Sequence, residues 1–208
     1  MDADAVEIRV LGCLVEKQRT TPDQYPLTLN ALRLACNQAT NRDPVVDYDE
    51  AEIRAALARL SHRGWVRLAS GPGSRVAKYR HLLDDALGRV PSQIALLAVL
   101  MLRGPQTPGE LLQRTERLFH FDGSDALNAV LEQLSERELV ARLNRRPGQR
   151  EERYAHLLGG EPNDAAPFAA TPPPAPAVPV NDDRLARLEQ EVAKLREEVR
   201  SLKESLGA

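Results

Sequence analysis

The chain of 208 residues is 42% hydrophobic and 4% aromatic, so it holds enough apolar material for one or two small cores. Its 28 Lys and Arg residues against 30 Asp and Glu residues give a formal net charge of −2, which excludes a strongly basic nucleic-acid-binding protein. The start of the chain lacks a secretion signal and no apolar run is long enough to span a bilayer, so we expect a cytoplasmic protein without membrane contact.

Three helices followed by a hairpin are predicted for the first part of the chain. Apolar residues at helical spacing indicate the helices, and Thr28 is a suitable capping residue for the second of them. Val45 and Val46 are predicted to add a short strand, and Gly64 ends the third helix. The predicted helices are 6–17, 28–38 and 49–63, and the hairpin strands are 65–68 and 76–82.

The second part of the chain follows the same order. Residues 72–83 and 147–158 are identical at seven of twelve positions. Thr107, Pro108 and Glu110 provide the signals that start a helix. The predicted helices are 92–103, 107–118 and 124–138, and the hairpin strands are 139–143 and 152–157. The sequence therefore predicts a mainly α fold with small β-hairpins, built as tandem winged-helix domains over 1–86 and 87–158.

The composition changes after residue 158. Residues 159–181 are rich in Pro and Ala, cannot bury a core, and are predicted to form a semi-extended linker. Residues 182–206 carry a strict heptad, which predicts a parallel coiled coil and hence a homodimer. The alternative is a single amphipathic helix that docks on its own chain. The apolar heptad positions are Leu185, Leu188, Val192, Leu195, Val199, Leu202 and Leu206.

Both predicted hairpins are rich in basic residues. Flexible loops with arginines suit phosphate contact, which positions a protein on a duplex without reading its sequence. The alternative is a pair of solvated turns whose arginines pair with nearby carboxylates. The candidate DNA-binding residues are Arg67, Arg75, Lys78 and Arg80 in the first hairpin and Arg142, Arg145, Arg146, Arg150 and Arg153 in the second.

The predicted second helix adds amide and guanidinium groups of the kind that read base edges. Its candidates are Asn30, Arg33 and Asn37, with Gln38, Asn41 and Arg42 adjoining them. The alternative is a solvent-facing surface whose side chains stabilise the turn before Pro44. Residues 124–138, the third helix of the second unit, contain four acids and one arginine, so their charge opposes duplex binding by that unit.

We expect no catalytic residue, cofactor or metal ion, and therefore no enzyme. His81 and His156 occupy equivalent places in the repeat, each close to a tyrosine and before a Leu-Leu pair, as expected for duplicated packing positions. The Cys and His spacings do not suit zinc, and the sequence contains neither a phosphate-binding glycine loop nor a nucleophile elbow. Cys13 and Cys36 lie in apolar helical patterns and are predicted to be buried reduced thiols.

Four segments of the chain resemble the YceH family of bacterial proteins. They are LGCLVEKQRTTPDQYPLTLNALRLACNQATNRDPV (11–45), SGPGSRVAKYRH (70–81), LRGPQTPGEL (102–111) and RRPGQREERYAHL (145–157). The resemblance extends over residues 6–158 and implies two winged-helix domains in one chain with a C-terminal coiled coil. It brings no catalytic residue, cofactor or target with it.

Two functions are compatible with these patterns. The first is a non-enzymatic DNA-binding protein of the transcriptional-regulator kind, which contacts phosphates through its hairpins as a coiled-coil dimer. The second is a protein-interaction scaffold built from winged helices without DNA binding of its own, in keeping with the near-neutral net charge. The expected partners are therefore a second copy of the chain and, in addition, either DNA or another protein.

Overall fold

The structure is a computed structural model that describes residues 3–70, 76–88, 90–143 and 151–160. These residues belong to one compact unit and form seven α-helices and two small antiparallel sheets, which confirms the predicted mainly helical fold with β-hairpins. The predicted coiled coil over 182–206, most of the predicted linker over 159–181, and both hairpin tips lie outside the described residues.

The first half of the described chain, residues 3–88, begins with the long helix α1. Its elements are α1 (Ala5–Thr20), a 3₁₀ turn (Pro22–Gln24), β1 (Leu27–Thr28), α2 (Leu29–Cys36), α3 (Glu50–His62), β2 (Val66–Leu68), β3 (Lys78–His81) and the short helix α4 (Leu83–Leu87). The three strands form a sheet in the order β1-β3-β2. We refer to β2 and β3 as the first hairpin.

The second half, residues 90–160, repeats most of this order. Its elements are α5 (Pro91–Arg103), α6 (Pro108–Thr115), α7 (Ser124–Glu136), β4 (Val140–Leu143) and β5 (Arg153–His156). β4 and β5 pair as the second hairpin. An isolated bridge between Gln106 and Tyr154 corresponds to the β1–β3 pairing, in which Leu27 lies opposite Tyr79.

Side-chain caps explain where several helices begin. Thr107 accepts a hydrogen bond from the Glu110 amide at 3.2 Å, and Glu110 accepts one from the Thr107 amide at 2.9 Å, which is the capping box that the sequence predicts. Asp4 and Asp49 start α1 and α3 in the same way. Thr28 caps α2, also as predicted.

The predicted strand at Val45 and Val46 is absent. Both residues lie in irregular chain and pair with no strand among the described residues, and Val45 is 60% exposed. The extra strand is β1 instead, directly before α2. It forms because Leu27 and Thr28 pair with Tyr79 and Lys78, a tertiary contact that local propensity does not reveal.

The ends of the two third helices are equivalent in three dimensions. Trp65 donates its backbone N–H to Leu60 at 2.9 Å, and Leu139 donates to Leu134 at 3.0 Å. Equivalent residues of β2 and β4 are also 74 residues apart, whereas equivalent residues of β3 and β5 are 75 residues apart. The additional residue of the second copy therefore lies in its hairpin loop.

One hydrophobic core runs through both halves, because α1 packs along α5. The closest approach is at Gly12, where a Cβ atom would lie 2.9 Å from Cγ of Leu102 and 3.1 Å from Cβ of Met101. Leu11 and Leu14 are fully buried in α1, as are Leu96 and Leu97 in α5. The two halves are thus packed as neighbours without a spacer between their cores.

The repeat offers a matched test of backbone strain. Glu138 has φ +54°, and the equivalent residue of the first half is Gly64 with φ +72°. Since a left-handed conformation is strained for a residue with Cβ, Glu138→Gly is expected to raise the free energy of unfolding by about 1 kcal/mol. Gly64→Ala should lower it by a similar amount. Urea denaturation of both variants measures the difference, and a loss of stability in Glu138→Gly contradicts the expectation.

Candidate nucleic-acid interface

The first hairpin brings three of the predicted DNA-binding cations to one face of its sheet. Arg67 lies directly opposite Arg80 in the β2–β3 register, and residues opposite each other share a face. Lys78 is two residues before Arg80 and therefore points to the same side. Arg67 and Lys78 are exposed, while Arg80 is half-buried. Arg75 lies outside the described residues.

These three cations have no carboxylate partner among the described residues. Nε of Arg80 is buried and lacks a hydrogen-bond partner within the same part of the chain. Cations that are not neutralised by a neighbour remain available for an external anion, and phosphate matches the planar guanidinium well.

The opposite face of the first hairpin is anchored to the core. Nε2 of His81 lies 2.7 Å from Oε1 of Gln18, and the His81 amide donates to the Tyr25 hydroxyl at 2.8 Å. Burial lowers the pKa of His81 to about 4 and raises the pKa of Tyr25 to about 12. Both groups are therefore neutral near pH 7, and their contacts fix the hairpin that carries Arg67 and Lys78.

The second hairpin differs in charge at the equivalent positions. Ala141 and Ala155 stand where the first hairpin has Arg67 and Arg80. Nη1 of Arg142 lies 3.1 Å from a carboxylate oxygen of Glu152, so its charge is partly neutralised. Arg153 is half-buried. Three further candidates lie outside the described residues: Arg145, Arg146 and Arg150.

Burial also explains the lowered pKa of His156 in the second hairpin. Its Nδ1 is buried without a hydrogen-bond partner in the described part of the chain, and burial lowers its pKa to about 4. The equivalent His81 has the same low pKa for the same first reason. A pair of neutral, duplicated imidazoles suits packing at the base of each hairpin.

The candidates in α2 and in the turn that follows it divide into exposed and internal side chains. Asn30 is exposed and accepts a 3.4 Å hydrogen bond from Arg33. Asn37 is used internally, because it donates to the Tyr48 carbonyl at 2.8 Å and accepts from the Tyr48 amide at 2.9 Å. Gln38 accepts a 2.9 Å hydrogen bond from Arg42. Asn30 and Arg33 are therefore the α2 side chains most suited to contact with base edges.

Arg42 is an interior residue whose side chain has no exposed surface. Its guanidinium donates to Glu16 at 2.5 and 3.1 Å and to the Ala35 carbonyl at 3.1 Å. A second buried cation, Arg9, donates to the carbonyls of Cys36 and Pro44 at 3.1 and 2.6 Å. These contacts hold the turn that follows α2, and we leave Arg42 out of the candidate surface.

The exposed faces of the two third helices also differ. The exposed side of α3 carries Glu50, Glu52, Arg54 and Arg59, and Arg54 lies 3.9 Å from Glu50. The exposed side of α7 carries acids, namely Asp125, Glu132 and Glu136. A duplex approaching α7 would meet negative charge, whereas the two exposed acids and two exposed arginines of α3 balance one another.

The His, Cys, Asp and Glu side chains of the described residues form no group of three or more that could hold a metal ion. Among the same residues, no helix is both long and apolar enough to cross a membrane. Cys13 and Cys36 are both buried and free, as predicted.

Comparison with known proteins shows similarity over most of the chain. The family model described as "Protein of unknown function, DUF480" matches residues 3–149. A UPF0502 protein of Geotalea uraniireducens is 50% identical over 198 residues, which cover 93% of this chain and 90% of the relative. A UPF0502 protein of Azotobacter vinelandii is 53% identical over 156 residues, covering 75% and 69% of the two chains. The UPF0502 protein YceH of Escherichia fergusonii is 46% identical over 197 residues, covering 91% and 90%.

Proposed function

The chain belongs to the DUF480 family, and on that premise we propose that it is a non-enzymatic protein that binds duplex DNA through its first half. The resemblance to the YceH family inferred from the sequence is confirmed by the relatives. In this proposal each half is a winged helix, and the first hairpin is the wing that contacts phosphate. Transcriptional regulation is the role that such a protein would serve.

The order of elements supports the winged-helix assignment. A long helix, a short strand, two further helices and an antiparallel hairpin follow one another in the first half. In the second half the Gln106–Tyr154 bridge takes the place of the short strand. The hairpin directly follows the third helix in each half, which is the arrangement that lets a wing and a helix meet one duplex.

The proposal rests mainly on the cluster of Arg67, Lys78 and Arg80 on one face of the first hairpin. The cluster has no carboxylate partner among the described residues, although the whole chain has a net charge of −2. A localised positive face on a nearly neutral protein supports phosphate contact at this place rather than general affinity for polyanions.

The second half supports a different role. Its hairpin has alanines in place of two cations, and its third helix exposes Asp125, Glu132 and Glu136. We propose as the second candidate function that this half binds a protein partner with a basic surface. The predicted heptad over 182–206 would join two chains, which raises the effective concentration of each first half on DNA.

The proposal is tested by the salt dependence of duplex binding. The full chain is titrated with a labelled duplex at several salt concentrations, and fluorescence anisotropy gives the affinity. Because each phosphate contact contributes about 0.9 to the log–log slope, Arg67→Ala/Lys78→Ala should reduce the slope by about 1.8. Arg142→Ala is the matched control, since this hairpin arginine is already paired with Glu152, and its slope should equal that of the wild type.

Two results decide against this function. An unchanged slope in the double variant removes the first hairpin from the interface. Absence of duplex binding by the full chain at low salt, combined with stoichiometric capture of a protein, favours the scaffold instead.

A further inference from the structure

A second cationic site lies away from both hairpins. A cleft of about 320 Å³ opens between the end of α1, the end of α5, and α6 with the turn that follows it. Three arginines line it: Arg103 at the end of α5, Arg114 in α6, and Arg117 just beyond α6. None of the three is among the DNA-binding candidates.

The positive charges of this cleft are incompletely neutralised. Arg103 donates a hydrogen bond to the side-chain oxygen of Asn41, which is a neutral partner. Arg114 lies 3.4 Å from Glu110. Arg117 is exposed and has neither an ion pair nor a hydrogen bond to the described residues.

Among the described residues, the only acid that lines the cleft is already engaged. Glu16 accepts two hydrogen bonds from the buried guanidinium of Arg42 and lies 3.8 Å from Lys17. Burial, with the positive charges of Arg114 and Arg42, lowers the pKa of Arg103. Burial is the main cause of this shift, and the nearby charge of Arg114 adds to it; an anion beside Arg103 and Arg114 would relieve the repulsion between these two cations.

The other residues that line the cleft indicate which class of ligand fits it. Val99, Leu102 and Leu118 give the cleft an apolar wall, while Thr20 and Gln113 add neutral hydrogen-bonding groups. A concave site with an apolar wall and a few convergent polar groups is typical of small-molecule binding. Its volume accommodates a small molecule and is at the lower end of the usual range for such sites.

We propose that this cleft binds a small organic anion, with its carboxylate or phosphate held by Arg103 and Arg117 and its apolar part against Val99 and Leu102. Arginine forks match the geometry of both oxyanions. The walls come from both halves of the fold, because Thr20 and Asn41 belong to the first and α5 and α6 to the second. A bound anion therefore restrains the position of one half on the other. The proposal does not rest on DNA binding.

The test is calorimetric titration of the full chain at low ionic strength, with phenyl phosphate and benzoate as the probes, because each joins one oxyanion to an apolar ring. The wild type should bind at least one of them, and the better probe identifies the preferred oxyanion. Arg103→Gln/Arg117→Gln should weaken binding by about 100-fold or more, because each substitution removes a charge-assisted contact that accounts for about tenfold or more in affinity. Arg54→Gln/Arg142→Gln removes the same total charge from exposed sites elsewhere and should bind the probes as the wild type does.

Three outcomes overturn the proposal. The first is the absence of binding of either probe at millimolar concentration. The second is equal weakening by the two double variants, which indicates a non-specific charge effect. The third is a loss of duplex affinity in Arg103→Gln/Arg117→Gln with unchanged probe binding, which assigns the arginines to a nucleic acid. Arg117→Glu, at an exposed position, provides the same comparison if the Arg103 substitution impairs folding.

Discussion

Gly12→Leu is expected to lower the free energy of unfolding by about 3 kcal/mol, because it separates the helices that join the two halves. A Cβ at this position would lie 2.9 Å from Cγ of Leu102 and 3.0 Å from one of its methyl carbons, well inside ordinary carbon contact distances. Leu102 and Met101 are both buried, so neither can move into solvent. Urea denaturation of the full chain measures the change, with the fluorescence of the single tryptophan, Trp65, as one reporter.

The control for this substitution is another helical glycine. A Cβ at Gly109 in α6 would meet no atom within 4 Å, so Gly109→Ala should be neutral or stabilising by up to about 1 kcal/mol. Stability of Gly12→Leu within 0.5 kcal/mol of the wild type, on the order of a neutral surface change, would show that the α1–α5 interface has room for a side chain.

Arg42→Met should lower the free energy of unfolding by about 3–5 kcal/mol. The substitution removes the partner of Glu16, whose side chain is only 16% exposed, and leaves the Ala35 and Asn41 carbonyls without their guanidinium donor. Methionine fills a similar volume, so the loss measures the polar contacts rather than an empty space. Thermal unfolding monitored by circular dichroism should show a lower midpoint, by roughly 6–20 °C for a chain of this size.

Arg54→Met is the matched control for Arg42. Its side chain is 66% exposed and lies 3.9 Å from Glu50, so its removal should change stability by less than about 0.5 kcal/mol. The two variants separate structural from DNA-binding arginines. Unchanged stability in Arg42→Met, together with a smaller salt slope for duplex binding, would return Arg42 to the DNA contacts predicted from the sequence.

Local signals and the internal repeat predict most of the helices and both hairpins. The Thr107–Glu110 capping box is visible in the sequence because its two partners are three residues apart and interact within one helical turn. β1 is not visible, because its two residues become a strand only through pairing with Lys78 and Tyr79, about 50 residues later. Val45 and Val46 have strand propensity, but no strand in the described part of the chain pairs with them.

The charge of the site could be counted from the sequence, but its arrangement could not. Nine basic residues in the two hairpins were equal candidates, and only the strand register places Arg67, Lys78 and Arg80 on one face. The pairing of Arg142 with Glu152 depends on the same register in the second hairpin. The burial of Arg42 depends on a contact of the same long-range kind, since its partner Glu16 is 26 residues away in α1.

The cleft between the halves had no sequence signal of its own. Arg103, Arg114 and Arg117 are spaced irregularly along the chain, and they converge only because α6 folds back on the end of α5 beside Glu16. Such a site is a product of helix packing and requires coordinates to be recognised.

The hydrogen bond that joins the two ends of the described fold has a topological consequence. The Ala3 amide donates to the Leu158 carbonyl at 3.1 Å, and Gly159 lies so close to Ala3 that a Cβ there would be 2.9 Å from the Ala3 carbonyl oxygen. The backbone from residue 3 to residue 158 is therefore almost a ring, open by one short gap. Because its two ends meet, the order of the two halves along the chain is not essential to the fold. A circular permutant that begins at α5 would keep the same helix contacts.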